Sequence, residues 1–161
     1  MTDTAPGLIT LRGATVEDCR RIWEWRNEPL TRKSSFDTSC IPYKDHERWF
    51  LLKLRDQGTA ILIASNADSR AVGYVRFSII NDQAEISVSV DRCERGKGYG
   101  SAVIRVGSDR VLRNNTVKRI VAYVKNDNPS SLATFKRAGF IRAGNSEVSG
   151  ASACTLVYPS H

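Results

Sequence analysis

Alternation of apolar and polar side chains from Leu8 to Arg12 predicts a first strand, because successive strand residues face opposite sides of a sheet. Thr15, with Asp18 three residues on, predicts a helix start, and Val16, Cys19, Ile22, Trp23 and then Arg26 fall along one broad stripe. That helix ends near Asn27-Glu28-Pro29, where proline disfavours continuation. Leu30 to Ile41 shows no period and reads as irregular. A second helix, from about Tyr43 to Arg55, carries Trp49, Phe50, Leu52 and Leu54 and closes at Gln57-Gly58.

Strand texture then takes over. Thr59 to Ser65, Ala71 to Ile80 and Ala84 to Val90, separated by polar turns at Asn66-Arg70 and Asn81-Asp82, predict an antiparallel meander. In its last strand Ile86, Val88 and Val90 share one face, and Glu85, Ser87 and Ser89 share the other, so one face is buried and the other is free for chemistry. The next helix, Ala102 to Asn114, places Gly100, Val103, Ile104, Gly107 and Val111 within one arc, and its glycines suggest close approach to the sheet. Val117 to Val124 is reached by a crossover and is therefore expected parallel to the strand before it. Asn128 as N-cap and Pro129 as first residue open a helix over Ser130 to Ala138, stopped by Gly139. Phe140 to Ala143 and Ala151 to Tyr158 close the chain as an antiparallel pair. Nothing resembling a linker or repeat interrupts 1–161, which reads as a single domain.

Charge narrows the partners without naming them. A formal net charge of +7 favours acidic ligands, yet the basic residues are dispersed and no nucleic-acid-binding motif is present, so nucleic acid is not expected. Apolar runs such as Ala60 to Ala64 are too short to span a bilayer, and Met1 to Pro6 lack the basic and apolar segments of a signal peptide, so a cytoplasmic protein without membrane attachment is expected. Cys19, Cys40, Cys93 and Cys154 have no metal-binding spacing, and only His46 and His161 could complete a set, so neither a metal site nor a disulfide framework is expected.

Arg95-Gly96-Lys97-Gly98-Tyr99-Gly100-Ser101 lies between a strand and a helix, with glycines at alternate positions. Glycine admits backbone angles closed to other residues and lets N–H groups approach a phosphate, to which the following helix adds a partial positive charge. The spacing fits neither a P-loop nor a dinucleotide fingerprint.

Together with Asn128, Ser131, Leu132 and Ala138-Gly139-Phe140, this loop resembles the two-part signature of the GNAT superfamily of N-acetyltransferases: a Q/R-x-x-G-x-G/A pyrophosphate loop, then N-x-x-A/S and G-F. The resemblance covers nearly the whole chain. It implies an α/β (α+β) GNAT fold, a mixed and mostly antiparallel sheet splayed between strands four and five, flanked by about four helices. It also implies acetyl-CoA as donor, with pantetheine pairing beside Val88 to Val90, the loop residues Arg95 to Ser101 at the pyrophosphate, and Asn128, Ser131 and Phe135 in the donor site. The N–H groups around Ser89 or Val90 would hold the acetyl carbonyl. Glu85 matches the position of a glutamate base in histone-acetylating members. Many members carry a tyrosine acid where this chain has Phe135, which has no proton to give; water, Ser131 or Tyr123 remain as alternatives.

The N-terminal third is similar to the branch that acetylates nucleotide-linked amino sugars, through Glu24 to Pro29, Arg32 to Phe36, Ile41, His46 and Trp49. That likeness implies an acceptor set of Trp25, Arg26, Asn27, Arg32, Lys33, Phe36 and His46: cations for a diphosphate, aromatic rings for a base or sugar face, and an imidazole for a hydroxyl. Structural duties are equally open to Trp25, to Trp23 and Trp49 as core, and to His46 as organiser of its helix. Protein N-terminal acetylation and a non-catalytic acyl-CoA-binding module are the alternative functions. A monomer or homodimer is expected.

Overall fold

The computed structural model describes residues 9–159. Leu8 of the first predicted strand, His161 and the Met1 to Pro6 segment lie outside them. Seven strands form one sheet in the order β1-β2-β3-β4-β5-β7-β6: β1 Thr10–Gly13, β2 Thr59–Ser65, β3 Ala71–Ile80, β4 Gln83–Val90, β5 Arg119–Lys125, β6 Ile141–Val148 and β7 Ala151–Tyr158. Every pairing is antiparallel except β4 with β5. The crossover helix between that pair is α4, Tyr99–Leu112, in line with the expectation for a strand–helix–strand connection.

Two cores, one per face, hold the layers together. On one face α1 (Cys19–Asn27) and α3 (Tyr43–Arg55) cover Ile61, Ile63 and Tyr74, with Ile22 and Phe50 fully buried between. On the other, α4 and α5 (Pro129–Arg137) cover Val75, Phe77, Ile86, Ile120 and Leu156. Gly107 carries α4 against the sheet: a Cβ there would meet the Phe77 ring and Val75 at 3.3 Å. Gly100, expected to do the same, instead makes room for α5, since its Cβ would lie 3.1 Å from Thr134.

Two elements differ from the sequence pattern. Leu30 to Ile41 is not wholly irregular, because α2 spans Pro29–Ser34. This helix buries no side chain and therefore leaves no apolar period; it is fixed by Pro29 in its first turn and by Glu28, which accepts the Thr31 N–H at 3.1 Å. The final hairpin is longer than Phe140 to Ala143 suggested. β6 runs to Val148 as the outer strand, mostly exposed, so its polar side chains carry no alternation to read. At the front, Val16–Asp18 form a single 3-10 turn before α1, and Asp18 accepts both the Thr15 N–H and a two-pronged ion pair from Arg12. Among the described residues no helix is long and apolar enough to cross a membrane.

Candidate active site

β4 and β5 pair only where Gln83, Ala84 and Glu85 face Arg119, Ile120 and Val121. Beyond that point β4 stays on β3 as far as Val90, whereas β5 stays on β7 as far as Lys125, and the two strands part. Their separation opens a cleft of about 790 Å³ lined by Ile86 to Val90 on one side, Tyr123 and Val124 on the other, and α5 below. The wedge has its closed end at Glu85 and widens toward the glycine loop.

Gly73 determines how the β4 side of the cleft is shaped. It pairs with Val90, and a Cβ in its place would come within 2.3 Å of the Ser89 carbonyl oxygen. Only a residue without a side chain lets that carbonyl bend toward β3. A glycine inside a strand marks such an approach, and that signal was present in the sequence. Ser89 itself is 8% exposed, its hydroxyl has no hydrogen-bond partner among the described residues, and it lines the cleft. A hydroxyl so placed can give or accept a hydrogen bond with a group held in the cleft.

At the wide end, Gly96 and Gly98 adopt φ of 78° and 84°, the left-handed region that favours glycine, and Gly98 is the N-cap of α4. The cleft is lined by Gly96, Gly98, Gly100 and Ser101 around the start of this helix. Of the two loop cations, Arg95 lines the cleft and Lys97 does not. Arg95 donates to Glu28 at 2.8 Å, to the Thr31 hydroxyl at 3.0 Å and to the Val90 carbonyl at 3.2 Å, tying α2 and the end of β4 to the loop. Lys97 pairs with buried Glu94 at 3.1 Å, which Arg70 also reaches, and Lys97 does not line the cleft. Both cations are engaged, Arg95 through Nε and one terminal nitrogen only, so this end of the cleft presents backbone N–H groups and the helix terminus beside the Arg95 guanidinium. Tyr99, at the helix start, is buried, and its hydroxyl accepts from Asn66.

Across the cleft, the Asn128 side chain caps α5 by accepting the Ser131 N–H at 3.2 Å, and Asn128 and Ser131 both line the cavity. Phe135 also lines it while stacking edge-on against Phe140, with centroids 5.1 Å apart. Tyr123 contributes the phenol on the β5 side. Glu85 is exposed at the closed end, outside the cleft lining.

The acceptor residues expected in the N-terminal third divide sharply. Trp25 is core: it stacks on Tyr74 at 5.9 Å with planes 7° apart, and its indole N–H donates to Asp91 at 2.8 Å. Asn27 clamps the backbone of Ile41 with both ends of its amide. His46 is 0% exposed, one ring nitrogen meeting the Cys19 carbonyl at 2.9 Å and the other meeting Arg26 at 3.0 Å. Burial, reinforced by the Arg26 charge and opposed by the Cys19 carbonyl, holds its pKa down to about 4. The polar groups of these three residues are already engaged, those of Trp25 and His46 within the buried interior and those of half-buried Asn27 on the Ile41 backbone, and this counts against their meeting an acceptor. Arg32 donates to the Asn27 carbonyl, Lys33 is exposed, and neither lines the cleft. Phe36 does line it, with Lys125 5.9 Å above its ring. Arg26 lies over Trp49, 4.2 Å from the ring centroid. Arg76, absent from the expected set, lies 5.2 Å from the same centroid and donates to the Ser87 hydroxyl at 3.4 Å. Its signal was a lone arginine among the apolar residues of β3.

The family described as Acetyltransferase (GNAT) domain matches residues 9–141. A Bacillus subtilis (strain 168) protein, YwnH, provisionally named a phosphinothricin acetyltransferase, is 24% identical over 143 residues, covering 84% of this chain and 86% of its own. A mycothiol acetyltransferase of Saccharomonospora viridis is 27% identical over 130 residues, and the match spans 39% of that longer protein. Among solved structures, that of AAC(6')-Ib in complex with ribostamycin and coenzyme A superposes with a TM-score of 0.82 at 18% identity, covering 94% of this chain and 93% of the other. At that identity the likeness is one of fold.

Proposed function

The chain belongs to the GNAT acetyltransferase family, and from that premise we propose that it transfers the acetyl group of acetyl-CoA to the primary amine of a small molecule. The observation that carries this reading is the opening between β4 and β5, with an unpartnered buried hydroxyl on one wall and two left-handed glycines at its wide end.

Bound acetyl-CoA supplies a thioester whose carbon accepts a nucleophile and whose sulfur is the leaving group. The β4 backbone from Ile86 to Val90, not taken up by β5, offers pantetheine an unpaired strand edge. Gly96, Gly98 and the α4 N-terminus receive pyrophosphate, with Asn128 and Ser131 on the facing wall. Ser89, through its hydroxyl or the backbone beside it, stabilises charge developing on the acetyl oxygen. The acceptor nitrogen forms the amide bond as the carbon–sulfur bond breaks, and it gives up one proton. Glu85, exposed beside the closed end, takes that proton through water. Phe135 has none to return to the sulfur, which leaves water or the Tyr123 hydroxyl for that step.

For the acceptor we favour the amino group of a nucleotide-linked sugar, on narrower grounds than the N-terminal sequence offered. Phe36 in the cleft lining and the two guanidiniums over Trp49 support it; Trp25 and His46, which are buried, and Asn27, whose amide is taken up by the Ile41 backbone, do not. Thiol release with acetyl-CoA and a UDP-linked 4-amino sugar, measured beside free amino acids, polyamines and peptides with free N-termini, tests the reading. Turnover of the sugar nucleotide is expected. Activity confined to peptides would sink it in favour of protein N-terminal acetylation.

A further inference from the structure

Arg26 of α1 and Arg76 of β3 come from distant parts of the chain and share one indole, Trp49 of α3. Val75 and Phe77, which flank Arg76, turn into the α4 core, so Arg76 projects to the opposite face, where its cross-strand neighbour is Ser87. Ser87 accepts a hydrogen bond from Arg76 and also lines the cleft. Among the described residues, no carboxylate lies within ion-pair distance of Arg26 or Arg76. Asp37, whose charge Arg26 feels, forms no ion pair with it and has one carboxylate oxygen accepting from the Ser39 N–H and hydroxyl. Burial weakens the Arg26 cation, Tyr74 and Asp37 oppose that, and the Arg76 charge adds to it.

Holding two like charges together, both half-buried, is unfavourable without a paired counter-charge. Guanidiniums held against an aromatic ring have little conformational freedom to lose and present fixed forks to an oxyanion. We propose that Arg26 and Arg76, braced on Trp49, bind an oxyanion of the acceptor, carboxylate or phosphate, and thereby place its amine at the Ser87–Ser89 wall of the cleft. The acceptor is thus an amine that also carries negative charge, not a polycation. This inference rests on the acetyltransferase reading for the amine but not for the anion site.

Two measurements separate the parts. In the first, kcat/KM is compared for an anionic amine and its neutral counterpart, such as 2,4-diaminobutyrate and its carboxamide or glucosamine 6-phosphate and glucosamine, with spermidine as polycation. The anionic member is expected to lead by about tenfold or more, the scale of one or two charge-assisted hydrogen bonds. Arg76→Gln should remove most of that lead through KM while leaving the KM of acetyl-CoA unchanged, and Arg76→Lys should restore it only in part. In the second, succinate and inorganic phosphate are titrated into protein saturated with CoA, followed by indole fluorescence, for wild type and Arg76→Gln. Saturable binding of either anion, lost in the variant, is expected. Anion binding without turnover of any amine would leave the site standing and defeat the acetyltransferase reading. No anion binding, or a preference for spermidine or the neutral amine, would overturn the site.

Discussion

A fully buried imidazole with both nitrogens occupied behaves as packing, not as a proton carrier. His46 bridges Cys19 of α1 to Arg26 within the α1–α3 core, and burial keeps it neutral with a pKa of about 4 against an ordinary 6.5. Because the folded value is the lower one, the unfolded chain binds the extra proton; the stabilisation is complete above about pH 6.5 and falls away as the pH drops toward 4. The full shift corresponds to roughly 3 kcal/mol. We expect urea denaturation to show stability decreasing from pH 7 to pH 5, with His46→Gln less stable at pH 7 and flatter across that window, while the kcat/KM profile shows no limb due to His46. Ser89 gives the opposite prediction. Its hydroxyl makes no hydrogen bond among the described residues, so Ser89→Ala should leave the melting temperature unchanged or raise stability by up to about 1 kcal/mol while lowering kcat. A large loss of stability with intact kcat would remove Ser89 from the reaction.

At the scale of elements, the cleft depends on how β3, β4 and α4 meet. Gly73 permits the Ser89 carbonyl to turn, and a methyl group at 2.3 Å from it cannot be accommodated without moving a strand. Gly73→Ala is expected to cost about 2–3 kcal/mol, in the range of core overpacking, and to lower turnover beyond what the lost stability explains, checked by denaturation and by kcat at a temperature where the variant is folded. Gly98→Val acts on the other wall: φ of 84° disfavours a β-branched residue by about 1–2 kcal/mol, and the displaced loop should weaken CoA binding at least tenfold by calorimetry. Equal CoA affinity in that variant would move the pyrophosphate site elsewhere. Arg95 is a brace between elements, so Arg95→Ala should loosen α2 as well as the loop, raising the acetyl-CoA KM and speeding amide exchange from Leu30 to Ser34 together. A change in KM with exchange unaltered would instead make Arg95 a direct ligand.

For the whole molecule, the net charge of +7 acts at long range even though the loop cations are neutralised locally by Glu28 and Glu94. Acetyl-CoA should therefore associate more slowly as salt is raised from low to high ionic strength, through kon more than koff, in stopped-flow measurements. A salt-insensitive kon would show that distributed charge plays no part in capture. Much of this architecture was legible in the order of residues. Periods of two and 3.6, the Thr15–Asp18 start, the Asn128-Pro129 start and the alternating glycines are local features, and local geometry follows from them with few long-range terms. They determined the strand meander, the crossover helix and the glycine loop that carries the family resemblance. What they left undecided depends on partners remote in sequence. Burial of Trp25 requires Tyr74, neutrality of His46 requires Cys19 and Arg26, and the engagement of Arg95 requires Glu28 some sixty residues away. α2 and β6 bury too little to write a period into the chain. The divergence of β4 from β5 and the meeting of Arg26 with Arg76 over Trp49 exist only once the sheet is assembled. Sequence alone therefore determined the elements that write a period or a cap into the chain, and the glycine loop, because these follow from short-range geometry, while the tertiary structure decided α2, the length of β6 and which polar side chains remain free in the cleft, because those depend on contacts made across the fold.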